Sequence, residues 1–61
     1  MSVHWKIEKF LRENEMPATR FGRLAANDPG LVRDMRNGRD VGVRLTARLE
    51  AFLAAQREGE R

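Results

Sequence analysis

Apolar side chains recur along this 61-residue chain at helical spacing, and polar punctuation divides them into four groups. Between Ser2 and Asn14, Val3, Ile7, Phe10 and Leu11 fall at i, i+4, i+7 and i+8, which is one face of a helix. Ser2 suits the N-cap, where a hydroxyl accepts from an otherwise unpaired backbone N–H. Met16-Pro17 ends this helix, because proline disfavours helical backbone in the residue before it and then suits a following first turn. The second group predicts a helix over 17–26 that buries Phe21, Leu24 and Ala25. In Asn27-Asp28-Pro29-Gly30, the aspartate is an N-cap and the proline a first helical residue. A third helix over 29–37 then turns Leu31, Val32 and Met35 inward, and Gly38 stops it in a left-handed conformation. The loop 39–45 leads to Thr46 as N-cap of a last helix over 46–57, with Leu45, Leu49, Phe52 and Leu53 at helical spacing. A disordered tail is expected over 58–61. No stretch alternates with the period of two that a strand needs, so the fold class is all-α, a compact four-helix domain over 1–57.

Composition narrows the chemistry. Twelve basic and nine acidic residues, no cysteine and one histidine leave no disulfide framework and no ordinary zinc site. Neither a cofactor nor a metal is expected. No apolar run approaches the ~18 residues of a membrane span, and no signal-peptide pattern opens the chain. The expectation is a soluble, cytoplasmic domain. His4 has no cysteine or serine partner at a useful spacing and reads as an exposed surface residue. No carboxylates converge on one helical face and no glycine-rich phosphate loop is present, so the chain is not expected to be an enzyme.

The charge is concentrated. Six arginines (20, 23, 33, 36, 39, 44) face three aspartates (28, 34, 40) between Arg20 and Arg44, and the remainder of the chain sums to zero. The whole net charge of +3 therefore sits in the middle of the sequence. The ten-to-two excess of arginine over lysine fits a surface that meets phosphate or guanine edges. It fits a GC-rich coding sequence equally well, although codon usage does not explain the position of the charge.

Two short helices separated by about three residues suggest a helix-turn-helix. Such a unit needs a small residue in its first helix where the second crosses close to the backbone, and Gly22 supplies it. Apolar or small residues stand at the matching positions: Phe21 before it, then Ala25, Val32 and Met35 at plus three, plus ten and plus thirteen. A glycine inside a helix costs about 1 kcal/mol against alanine, so close approach is a physical reason to keep it.

The stretch FGRLAANDPGLVRDMRNGR resembles the helix-turn-helix of the lambda-repressor-like (Cro/C1, XRE-type) DNA-binding domains, and more narrowly a group of short bacterial regulators. The likeness covers Ile7 to Leu53. Two departures stand out. Ala26 occupies a turn position that usually holds glycine, and Asn27 one that is usually apolar. These domains also often use a fifth helix for dimerisation, and the length here leaves no room for one.

The resemblance implies that the helix over 29–37 enters the major groove of double-stranded DNA, with Gly30, Arg33, Asp34 and Asn37 turned to the bases and Arg36 flanking them. Arg33 matches guanine O6 and N7, and Asn37 matches adenine. Asp34 either accepts from cytosine or orients Arg33 or Arg36. Gly30 removes bulk where the backbone nears the duplex. Thr19, Arg20, Arg23, Arg36, Arg39 and Arg44 are the phosphate contacts it implies. Helix capping is the competing role for Thr19, and for Thr46 the expected one. The implied function is a repressor-like transcriptional regulator, nucleoid-associated and acting as a homodimer, with the transcription machinery as a further partner. A helical protein-interaction module, adaptor or antitoxin-like, is the alternative. Trp5 lies about 200° from Val3 on an ideal helix. It is either an interface residue or, if the helix begins later, folded back over the core.

Overall fold

The computed structural model describes residues 2–58. It is all-α, with α1 over Val3–Asn14, α2 over Ala18–Ala26, α3 over Leu31–Arg36 and α4 over Val43–Glu58. The tail expected from residue 58 is helical at Glu58 and otherwise lies outside the described residues.

Capping explains most of the boundaries. Ser2 Oγ accepts from the Trp5 amide at 3.4 Å and starts α1. Glu15, in the left-handed region at φ 51°, ends it, and the Met16 amide donates back to the Leu11 carbonyl at 3.0 Å. Pro17 precedes α2 as its N-cap, one residue earlier than the first-turn position expected for it. Asn27 ends α2 at φ 54°. Asparagine tolerates this conformation better than most residues, which is why the turn works without a glycine at Ala26. The Asp28 carboxylate accepts from the Gly30 amide at 3.1 Å, but Gly30 itself stands at the N-cap and no side chain caps α3, so the aspartate holds the turn ahead of the helix rather than capping it as expected. The Leu31 amide then closes a tight turn on the Asp28 carbonyl at 3.0 Å, and regular helix begins at Leu31 rather than Pro29. Gly38 follows α3 with φ +101°, as its stop position requires.

Two expectations are corrected. The helix expected to start at Thr46 starts at Val43, and the Thr46 amide donates to the Gly42 carbonyl at 2.9 Å inside it. Thr46 is therefore not an N-cap. Val43 is almost fully exposed, so no apolar periodicity marks this first turn. Leu24 is 52% exposed rather than buried. On α2 the buried residues are Phe21, Gly22 and Ala25, and Leu24 lies about 60° outside the arc they span.

The core is built from Val3, Ile7 and Leu11 of α1, Phe21 and Ala25 of α2, Leu31, Val32 and Met35 of α3, and Leu49 and Leu53 of α4. Phe10 and Phe52 pack against it. With Phe21 they form a triangle of rings with centroids 5.4 to 6.4 Å apart, tilted or edge-on, the geometry aromatic pairs favour. This cluster joins α1, α2 and α4. Gly22 joins α2 to α3: a Cβ at this position would overlap the Asp28 carbonyl oxygen and touch the Leu31 side chain. The Asp28 amide in turn donates to the Gly22 carbonyl at 2.9 Å. The α2–α3 turn thus lies directly on the α2 backbone.

Arg48 adds a polar tie. Its Nε donates to the Ala25 carbonyl at 3.0 Å, so a cation from α4 sits at the C-terminal end of α2, where unpaired carbonyls and the helix dipole favour it.

Candidate nucleic-acid interface

The arginines between Arg20 and Arg44 divide into two groups. Arg36 and Arg39 are bound to carboxylates of the chain. Arg36 makes a two-pronged bridge to Glu8 of α1, with Nε 2.7 Å from Oε2 and Nη2 2.9 Å from Oε1. A planar fork meeting a carboxylate in this way is the strong form of the ion pair. It ties the end of α3 to α1 and, through its hydrogen bonds, lowers the Glu8 carboxyl from its ordinary 4.5 to about 2. His4 Nε2 lies 2.8 Å from the same Glu8 Oε2. The histidine is therefore half-buried and partnered, not the free surface residue expected.

Arg39 reaches back across α3. Its Nη1 donates to Asp28 Oδ2 at 3.0 Å and to Asp34 Oδ2 at 3.5 Å. The segment after α3 is thereby linked to the turn before it. Arg39 is also the main cause that holds the Asp28 carboxyl below the usual carboxylate range, with the Gly30 amide assisting. Asp34 receives this guanidinium and also stands 3.8 Å from Arg33 Nε.

The second group is open. Arg20, Arg23 and Arg44 are exposed and form no ion pair among the described residues. Arg33 has 78% of its side chain exposed. At 100° per residue, Arg20, Arg23 and Leu24 fall within about 100° of one another on α2, opposite the buried Phe21 and Ala25. Arg33, Asp34 and Asn37 fall in the same narrow arc at α3, opposite Leu31, Val32 and Met35. Arg33 is folded toward the start of its helix: its Nη2 lies 3.1 Å from the place a Gly30 Cβ would take. Gly30 is half-buried beneath this guanidinium, and its missing side chain leaves room for Arg33.

Thr19 is exposed in the first turn of α2, whose N-terminus has no side-chain cap. The amides of Ala18, Thr19 and Arg20 are left to water or an anion. Asn37 is exposed just after α3. Trp5 is 50% exposed within α1, so it does not fold back over the core.

Sequence reasoning did not find the partners of Arg36, Arg39 and Arg48. Glu8 and Arg36 are 28 residues apart and Arg48 and Ala25 are 23 apart, and no local pattern signals either contact. Among the described residues no group of three or more His, Cys, Asp or Glu is placed to hold a metal ion, and no helix is long and apolar enough to cross a membrane. No known family, curated protein or solved structure matches the chain.

Proposed function

We propose that the protein is a sequence-specific double-stranded DNA-binding regulator of the lambda-repressor-like type, with α3 in the major groove and two copies on a two-fold site. The observation that carries this reading is the partition of the arginines. Arg36 and Arg39 brace a six-residue helix that could not persist alone, while Arg20, Arg23 and Arg44 are exposed and form no ion pair among the described residues, and Arg33 stays largely exposed beside Asp34. Arg33 reads a guanine edge, and Asn37 an adjacent base. Asp34, engaged by Arg39 and near Arg33, orients these side chains rather than accepting from cytosine. Thr19, Arg20, Arg23 and Arg44 contact phosphates, with the open amides of α2 beside them. Two copies meet half-sites about one DNA turn apart.

Salt dependence tests the reading. Each phosphate neutralised contributes about −0.9 to the slope of log K against log salt. Duplex binding followed by fluorescence anisotropy is expected to show a slope that Arg20→Ala and Arg44→Ala each make shallower by about 1 per protomer. An unchanged slope in both variants would remove these residues from the interface.

The half-exposed Trp5 favours a second activity, a protein contact, on a different helix.

A further inference from the structure

The side of α1 turned from the core carries Trp5, Lys9 and Arg12. At 100° per residue, Lys9 lies about 40° to one side of Trp5 and Arg12 about 20° to the other. The Lys9 ammonium stands 5.5 Å from the centre of the indole. A tryptophan can bury about 150–250 Å², and half of this one remains in water, outside the core cluster. The two cations have no carboxylate within ion-pair distance among the described residues. Other charges of the helix are engaged: Glu8 by Arg36 and His4, and Lys6 by Glu50 at 3.3 Å. Glu13 lies farther round, about 80° from Trp5, and leaves the strip with a positive balance. On the far side of Arg12 is a shallow groove of about 440 Å³. Leu11, Met16 and Ala18 give it apolar walls, and Glu8, Arg12 and Arg36 its charged ones. Arg12 belongs to both features, so strip and groove adjoin.

We infer that this surface docks an acidic segment of a partner protein that carries a large apolar side chain. Carboxylates of the segment meet Lys9 and Arg12, and its apolar side chain packs on the indole and the neighbouring groove. Charge chooses this occupant: the two cations repel a basic segment. A duplex backbone would satisfy the cations but leave the indole and the Leu11–Met16 wall without an apolar partner. Trp5, Lys9 and Arg12 are all on α1, and the surface reaches α2 and α3 only where Ala18 and Arg36 line the groove.

The test is to pan a random-peptide phage library on the immobilised full chain and to titrate labelled copies of the enriched peptides by anisotropy. The enriched sequences are expected to place Asp or Glu around an aromatic residue or leucine. Binding is expected to shift the emission of Trp5, the only tryptophan of the chain. Trp5→Ala and Lys9→Glu, both at exposed positions, are each expected to weaken binding at least tenfold with the helical circular dichroism unchanged. Absence of enrichment, enrichment of basic or neutral sequences, or binding by both variants as tight as that of the parent would overturn the proposal. Displacement of the peptides by a duplex oligonucleotide would overturn it in favour of nucleic acid.

Discussion

Gly22→Ala separates two opposing effects of known size. In an open helix, replacing glycine by alanine stabilises by about 1 kcal/mol, because alanine loses less backbone freedom on folding. At Gly22 the added methyl meets the Asp28 carbonyl oxygen, which is backbone and cannot swing aside like a side-chain end. The turn between α2 and α3 must move outward. That strains the 2.9 Å bond from the Asp28 amide to the Gly22 carbonyl and the packing of Leu31, which is fully buried. Overpacking costs about 1–3 kcal/mol and a weakened hydrogen bond about 1 kcal/mol. The balance is a destabilisation of about 2 kcal/mol, equivalent to a fall in Tm on the order of 10 °C for a domain of this size. Urea and thermal unfolding followed by circular dichroism at 222 nm measure it. Leu24→Ala, two residues along and exposed, serves as the control and is expected to stay within about 0.5 kcal/mol of the parent. A Gly22→Ala variant as stable as the parent, or more so, would refute the close approach on which the α2–α3 geometry rests.

Other outcomes follow from the ion pairs and the open arginines. Glu8 titrates well below its ordinary value because Arg36 holds the charged form. A depressed carboxyl stabilises the fold above its unfolded value and loses that contribution as pH falls from about 4.5 toward 2. With Arg36 half-exposed, the contribution is discounted to roughly 1 kcal/mol. Glu8→Gln is therefore expected to be less stable than the parent at pH 7 by that amount, with the two unfolding curves converging near pH 2. Arg48→Met keeps the apolar stem but removes the donor to the Ala25 carbonyl, and a loss of about 1 kcal/mol in urea unfolding is expected. Arg33→Ala is expected to abolish most discrimination between DNA sites, whereas Arg20→Ala weakens all duplexes alike; competition with scrambled DNA distinguishes them. Uniform loss in both variants would remove the base-reading role from Arg33.

What the sequence revealed and concealed follows from the range of each interaction. Ser2, Asp28 and Gly38 act within three residues of themselves, so their turns could be read directly. Gly22 was legible too, because an unfavourable residue in a helix demands a reason and close packing supplies one. Leu24 was misread because apolar character alone does not fix the azimuth of a short helix; the position of α3 over Gly22 does. The start of α4 was misread because Val43 is exposed and no periodicity extends to it, while an established helix gains a hydrogen bond for each residue added. At the candidate site, the excess of arginine was evident, but its division into bracing and exposed members depends on contacts such as Glu8–Arg36 that only the folded chain creates.

Recognition of a particular duplex sequence by the exposed arginines and Asn37, as proposed, can be tested in one experiment. The most direct measurement is selection of the full chain against a random duplex pool, followed by anisotropy with the enriched and a scrambled duplex at near-physiological salt. A two-fold symmetric consensus containing guanine is expected, with a preference on the order of 10³-fold or more over the scrambled duplex. A pool that fails to converge, or equal affinity for the two duplexes, would contradict that recognition.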